Sequence, residues 1–507
     1  MQHFGSHFLA DAPARQAEPA PGDYLQSGYQ LWLVGHQLEH GHAPWLDPYS
    51  FQPEVSPRVN FAGWPFGIPY WPLEAAFGPV VAWNLLLLLC YVAAGWIAFA
   101  WLRELDLRRG PALVGGMAFA LAPYRVAQSA GHMLGLVVIL LVLALWAFER
   151  ARRGSRWWFL LSVAALASIP LSGQVHLALG AVPFFVLYAL VRSRQAWAVT
   201  AVCAGALAAV GAGLLVRYLA ISGSVGASGR KLSQVDRYSA HWSGFVSRHS
   251  PHGSEKFVYL GWATLLLAVA GLGLLVAARR YGLAAVLAIG VAVPVLLALG
   301  TNFPLYSAVW HALPPFRYPR VPERVLPIAC LCLAALVAFA ASYGKSRVAV
   351  PLLLGVLLVL DLHVKVYSAL PADQGNRAYA AVRAQPAGRL LELPVFLPDR
   401  HLGGVYLYYD MQARRQRPEG YSTLAPEEAD RTARRLRPLN CGDWSKHPGL
   451  LQRLGVRYVV VHRALYEHNP PVSAACFGAA VRGLGRHGFR SLAHDGPIEL
   501  YGAASAP

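Results

Sequence analysis

Charge is scarce in this sequence. Of its 507 residues only 14% are Asp, Glu, Lys or Arg, while 56% are hydrophobic; an ordinary soluble domain carries about a quarter charged residues. The deficit comes from long stretches without any charge, too apolar for a surface in water and too numerous for one buried core. A soluble chain is excluded on that ground. Acidic residues are scarcer than basic ones, 26 against 44, giving a formal net charge of +18. There is no basic stripe interleaved with aromatics and no nucleic-acid motif, so the excess reads as loop charge of a membrane protein and not as nucleic-acid binding. Cysteine is sparse too, with six residues and no CxxC pair. Cys90, Cys203, Cys330 and Cys332 fall in apolar segments, as packing residues do. Cys441 and Cys476 are the other two, and can form a disulfide if their part of the chain lies outside the cytoplasm. Residues 1–21 contain Asp11, Arg15 and Glu18 and no apolar run, so they do not form a signal peptide.

What is present is a series of ten apolar runs, at 78–102, 111–127, 132–149, 157–173, 175–192, 196–219, 257–278, 282–299, 325–343 and 348–366. Each is near or above the ~17 residues needed to span a bilayer. The run 111–127 contains Pro123 and Arg125, and 157–173 and 175–192 share almost no loop, so a broken or re-entrant helix is an alternative at each. Arginine and lysine alternate with this series. Arg103, Arg108 and Arg109 follow the first run; Arg150, Arg152, Arg153 and Arg156 the third; Arg192 and Arg194 the fifth; Arg279 and Arg280 the seventh; Lys345 and Arg347 the ninth. The short turns between carry none. By the positive-inside rule these loops are cytoplasmic. Residues 1–77, the loops 220–256 and 300–324, and residues 368–507 are then expected on the other side of a bacterial plasma membrane. The chain thus reads as an α-helical polytopic membrane protein with about ten spans over 78–367. A non-cytoplasmic N-terminal segment with interfacial helices precedes them, and a soluble C-terminal α/β domain follows. In that domain 389–395 and 456–462 have strand character, 498–501 ends the chain similarly, and 375–385, 426–438 and 474–487 have helical patterns.

The spans contain almost no ionisable groups, which directs attention to the external segments. Asp361, His363 and Arg217 lie near span ends, where snorkelling accounts for them. In the N-terminal segment Leu25, Tyr29, Trp32 and His36 recur at helical spacing, and Asp23 and Asp47 each sit where the chain re-enters the interface. Trp and Tyr there are also ordinary belt residues. The loop 220–256 carries Arg230, Lys231, Asp236, Arg237, His241, His249, His252, Glu255 and Lys256. Its three histidines follow no recognised zinc spacing. Arginine offers a bidentate fork to phosphate, so this loop, Arg125, and Arg317, Arg320 and Arg324 are either phosphate contacts or interface anchors.

Taken in order, Gly22-Asp23, Gly116 to Arg125 (GMAFALAPYR) followed by His132, Glu255 with Tyr259-Leu-Gly, Arg317-Tyr-Pro-Arg, and Leu454-Gly-Val-Arg-Tyr-Val-Val-Val-His resemble the YfhO-like bacterial branch of the GT-C superfamily of membrane glycosyltransferases. The resemblance implies a GT-C-like fold and a sugar donor carried on polyprenyl phosphate. It also implies an extracytoplasmic active site and inversion at the anomeric carbon. An acidic residue in the first external loop would act as base or help hold a metal, and Asp23 is the matching position. Asp47 is a second carboxylate candidate, and Arg125, His132, Glu255, Arg317 and Arg320 are candidate substrate contacts. A divalent cation is compatible with that set. In the superfamily a membrane helix precedes the first external loop; the resemblance therefore leads to the expectation that this helix is lost or encoded upstream, leaving Asp23 on a free segment. Two other classes stand beside this reading. A flippase for a lipid-linked glycan needs polar residues along a path between spans, which the sequence hardly supplies. A non-catalytic envelope assembly protein would tolerate Asp23→Asn.

Overall fold

The computed structural model describes residues 3–504 apart from 13–16, 18, 56, 57, 194, 250–255, 344–347, 468, 470 and 471. The chain folds as two compact units. One comprises Met1–Asn84, Tyr218–Ser228 and Ser368–Pro507, the other Leu85–Arg217 and Gly229–Tyr367.

The first unit begins with β1 (His7–Ala10), α1 (Asp23–Glu39), β2 (Leu46–Asp47), β3 (Arg58–Val59) and the start of α2 (Gly67–Glu104). Leu25, Tyr29, Trp32 and His36 do form one helix, α1, and all four are buried. Burial is not confined to that stripe, because glycines bring other backbone close. A Cβ at Gly63 would lie 2.0 Å from the Gln30 carbonyl oxygen, and one at Gly35 2.5 Å from the Trp71 Cβ. α2 breaks at Gly78 (φ 77°, ψ 169°) ahead of Pro79, and the first expected span begins at that break. Asn84 on α2 binds the N-terminal strand: its Oδ1 accepts from the Leu9 N–H at 2.8 Å and its Nδ2 donates to the His7 carbonyl at 2.9 Å.

The second unit is helical. It contains α3 (Arg109–Ala120), α4 (Pro123–Ser129), α5 (Leu134–Arg153), α6 (Trp158–Leu171), α7 (Val175–Arg192), α8 (Ala196–Val216), α9 (Leu232–Asp236), α10 (Trp262–Ala277), α11 (Tyr281–Ala298), α12 (Pro304–Ala312), α13 (Leu326–Ala341) and α14 (Ala349–Leu362). All ten apolar runs are helical, yet among the described residues six helices are long and apolar enough to cross a membrane. α6, α10 and α14 have 14, 16 and 14 residues, about 21–24 Å of rise against roughly 30 Å of hydrocarbon. The run 111–127 is divided into α3 and α4, because Ala122 stands before Pro123 and takes an extended ψ of 120°. Every residue of α13 is buried, as an all-round apolar helix requires. Four neighbours present glycine to it. A Cβ at Gly271 of α10 would meet the Leu336 carbonyl oxygen at 1.9 Å, one at Gly115 of α3 the Ala338 Cβ at 2.7 Å, one at Gly290 of α11 the Cys332 sulfur at 2.4 Å, and one at Gly180 of α7 Ile328 at 2.7 Å. Small residues at these points let backbones approach where no water is available to drive association.

The chain then returns to the first unit with β4 (Ser368–Pro371), which pairs antiparallel with β1, His7 opposite Pro371 and Ala10 opposite Ser368. α15 (Arg377–Ala384), β5 (Arg389–Leu393), α16 (Gly404–Gln412), α17 (Glu427–Leu436), α18 (Leu450–Arg453), β6 (Val456–His462), α19 (Arg463–Glu467), α20 (Ala474–Arg486), β7 (Phe489–Asp495) and β8 (Ile498–Ala503) follow. The sheet has the order β5-β6-β8-β7, with β5 and β6 parallel and the others antiparallel. Its core holds Leu391, Val459, Val461, Leu451 and Leu484. β6 (VRYVVVH) is buried at six of seven positions, the continuous apolar pattern of a central strand. Cys441 and Cys476 are joined in a disulfide.

Candidate functional site

Asp23 is the first residue of α1. Gly22 before it is extended (φ −176°, ψ 166°), and a Cβ there would stand 3.0 Å from the Tyr24 ring and 3.3 Å from the Ala12 Cβ. The carboxylate therefore stands in the helix's first turn, where the exposed N–H groups favour negative charge. It is half-buried, and the Tyr421 hydroxyl donates to its Oδ1. Gln26, one turn along α1, donates to the Tyr421 carbonyl at 2.7 Å, so one helix face fixes both ends of that tyrosine. His401 lies within electrostatic reach of Asp23; burial lowers its pKa while the Asp23 charge pulls it upward. A half-buried carboxylate with an oriented phenol and a neutral imidazole nearby can accept a proton from a hydroxyl.

Asp47 is placed differently. It is fully buried and its carboxylate accepts from the Tyr29 hydroxyl at 2.7 Å, the Tyr49 and Ser50 amides at 3.1 and 3.2 Å, and the Ser50 hydroxyl at 2.6 Å, with Arg58 3.7 Å away. Five groups already engage it, and together they close the loop between β2 and β3. Just beyond, Phe51 and Gln52 donate backbone N–H to the Glu419 and Arg417 carbonyls, and Arg417 donates to the Tyr49 carbonyl. This short ladder brings the Asp47 loop to the segment that carries Tyr421.

In the helical unit Arg125 is wholly buried on α4. It donates to the Ala120 carbonyl at 2.9 Å and the Cys90 carbonyl at 3.1 Å, and its guanidinium lies 4.9 Å above the Tyr91 ring. Among the described residues no carboxylate pairs with it. The Tyr91 hydroxyl in turn bonds the Tyr367 hydroxyl at 2.7 Å. His132 is half-buried in the turn between α4 and α5. Arg317 donates to the Trp310 and His311 carbonyls at 3.2 and 3.1 Å and stacks over Trp310, while Arg320 lies 5.2 Å from the centre of the Tyr238 ring. The segments that precede α10 and α13 are tied together, the Arg230 amide donating to the Arg317 carbonyl at 2.6 Å and Asn302 donating to the Ala240 carbonyl at 2.8 Å. No hydrogen bond or ion pair among the described residues joins Arg125 to Arg317 or Arg320. Glu255 and His252 lie outside the described residues, as do Arg194, Lys345 and Arg347.

Asp361, expected to snorkel, is instead a knot: it accepts from the Tyr259 hydroxyl at 2.7 Å, the Ala263 amide at 2.8 Å and Arg248 at 3.0 Å. Gly261 holds φ 93° there, and a Cβ would lie 2.9 Å from the Asp361 Oδ2. The Tyr259-Leu-Gly motif is thus the entry to α10.

Sequence reasoning passed over two groups in the first unit. One is Tyr421, which lies 398 positions from Asp23 and carries no local signal. The other is a buried ionic cluster. Arg417 reaches Glu392 at 2.6 Å and Asp410 at 2.8 Å, and Glu392 also contacts His462 at 2.8 Å and the Tyr379 hydroxyl at 2.7 Å.

Residues 66–362 match the family described as a domain of unknown function, DUF6311. The chain belongs to that family. No curated protein matches it. Among solved structures, the DUF6311 chain is similar to the arabinofuranosyltransferase AftD from Mycobacteria, at 17% identity and a TM-score of 0.57, over 98% of this chain and 40% of that one. It also matches the Archaeoglobus fulgidus oligosaccharyltransferase at 13% identity and a TM-score of 0.49, over 93% and 69% of the two chains. The match to ArnT from Cupriavidus metallidurans bound to undecaprenyl phosphate has 14% identity and a TM-score of 0.38, over 100% and 96%. The DUF6311 chain spans 40% of the length of AftD. The fold resembles that of AftD, and among the described residues six helices have the length and apolar composition of membrane spans, as in a membrane protein.

Proposed function

We propose that this DUF6311 protein is a GT-C-type glycosyltransferase that moves a sugar from a polyprenyl-phosphate donor to an acceptor outside the cytoplasm. The observation that carries the reading is Asp23, a half-buried carboxylate at a helix start with the Tyr421 hydroxyl on its Oδ1, in a chain whose fold resembles that of an arabinofuranosyltransferase. Asp23 takes the proton of the acceptor hydroxyl as that oxygen attacks the anomeric carbon, and the bond from sugar to lipid phosphate breaks on the opposite face. Arg125, a buried cation without a carboxylate partner among the described residues, together with Arg317 and Arg320, steadies the phosphate that leaves. His132 and Glu255 are further substrate contacts. Asp47, engaged by four hydrogen-bond donors and the Arg58 charge, supports the loop and leaves Asp23 as the base. The Cys441–Cys476 disulfide supports an oxidising compartment for residues 368–507, since such bonds persist outside the cytoplasm.

The test is incorporation of labelled sugar from a polyprenyl-phosphate donor in membranes holding the wild type or Asp23→Asn. Loss of about 100-fold or more fits removal of a general base. Equal incorporation removes Asp23 from that role.

A further inference from the structure

The last turn of α1 carries His36 and Glu39, His40 caps its end, and one ligand atom from each of the three lies within 4.8 Å of the others. Residues three and four apart share one helix face, so the chain delivers two imidazoles and a carboxylate to one point without a long loop. The two rings are already oriented. His36 Nε2 meets the Tyr49 hydroxyl at 2.7 Å, and His40 Nδ1 meets the His36 carbonyl at 2.7 Å, which leaves His36 Nδ1 and His40 Nε2 for a ligand. Hydrogen bonds of this kind, made through the ring nitrogen that does not bind the ion, fix tautomer and orientation in metal sites. His36 is further held by stacking on Trp32, ring centres 4.5 Å apart. Glu39 and His40 are exposed, which gives the point access to solvent.

We propose that His36, Glu39 and His40 bind a divalent transition metal of the zinc class, with water in the fourth position. Two nitrogens and one oxygen suit zinc and disfavour magnesium or calcium, which take oxygen sets. The site is distinct from the proposed base: thirteen or more residues of helix separate it from Asp23, about 20 Å at 1.5 Å per residue. A bound ion there clamps the end of α1, from which His42 and Leu46 are hydrogen-bonded back to Gln37.

The test uses the full chain purified in detergent with a non-histidine tag, stripped with chelator and titrated with Zn2+ by calorimetry. The expected result is one site per chain, with affinity reduced at least ten-fold in His40→Ala and in Glu39→Gln, both exposed positions that leave the fold intact. X-ray absorption at the zinc edge should report two nitrogens and at least one carboxylate oxygen. Asp23→Asn should bind zinc as the wild type does, which separates this site from the catalytic reading. No stoichiometric uptake by the wild type, or unchanged affinity in both variants, overturns the proposal.

Discussion

Replacing Arg417 with Met should loosen the sheet of the first unit by about 3–5 kcal/mol, the usual cost of removing one partner from a buried ion pair. Arg417 has no exposed side-chain surface and sits 2.6 Å from Glu392, 2.8 Å from Asp410 and 2.8 Å from the Tyr406 carbonyl. Glu419 adds a third buried carboxylate whose Oε1 is tied to the Glu392 amide at 3.0 Å. Methionine fills much of the space but leaves Glu392, Asp410 and Glu419 enclosed with no arginine. His462 is the remaining basic group in contact with Glu392, and proton uptake by Asp410 and Glu419, whose carboxyls burial raises, limits the cost to the low end at acidic pH. Hydrogen exchange of β5 and β6 measures the effect directly, because those amides open only with the sheet. At 1.4 kcal/mol per factor of ten, exchange at pH 8 should speed by roughly two to three and a half powers of ten. An increase below ten-fold would show that the cluster is not held by Arg417. Glu392→Gln in the Arg417→Met background should recover part of the loss.

The same cluster makes stability depend on pH. Burial raises the Asp410 carboxyl to about 7, against Arg417 pulling it down, so the folded chain keeps a proton that the unfolded chain releases near pH 4. Stability contributed by this group is full below pH 4, falls as pH rises towards 7 and is flat above, amounting to about 4 kcal/mol at most; thermal melts that rise across pH 5–7 in the wild type but not in Asp410→Asn would contradict this. Gly271→Ala places a methyl against the Leu336 carbonyl and should destabilise α10 against α13 by about 1–3 kcal/mol, read as a lower melting temperature in detergent, whereas Gly273→Ala, with open space at its Cβ, should not. Tyr421→Phe should cost no more than about 1.5 kcal/mol of stability yet reduce sugar incorporation, and unchanged incorporation would detach Tyr421 from the Asp23 site.

The helices of the second unit were readable because an apolar run long enough to cross a membrane has few other fates. The break at Ala122 was readable because Pro123 follows it. Where a helix has only 14 residues, as in α6 and α14, composition alone does not distinguish a full crossing from a shorter element. In the sheet, β5 and β6 announce themselves through Leu390, Leu391 and Val459 to Val461. β7 does not, since its residues from Arg490 to Asp495 are all at least partly exposed and its pattern is that of an edge. α16 was missed for the opposite reason, its Tyr-rich stretch GVYLYYDMQ having strand-like residues that tertiary packing overrides. Asp23 was singled out by the resemblance, while the tyrosine that the structure places on its carboxylate was not, because a contact across 398 positions leaves no periodicity to read. The His36-Glu39-His40 spacing was in the sequence, masked by the helix stripe to which His36 also belongs.

The C-terminal residues contribute Tyr421 to the candidate site around Asp23. The resemblance led to the expectation of Asp23 on a free segment, whereas the first unit holds that segment at several points. β1 is paired along its whole length with β4. A Cβ at Gly404, the first residue of α16, would stand 3.1 Å from the Gly22 carbonyl oxygen, so the backbone ahead of Asp23 lies directly against α16. Gln26 and Asp23 both hold Tyr421, and Glu54 accepts from the Thr432 hydroxyl at 3.0 Å. Each contact joins residues before 85 to residues after 367. The conformation of Asp23 therefore depends on the folding of the sheet and its disulfide, and a chain cut after residue 367 would keep the carboxylate while losing Tyr421 and the strand partner of β1. On this reading the buried ionic cluster around Arg417 acts on Asp23 as well, because Arg417 belongs to the same backbone ladder that positions residues 417–421 beside α1.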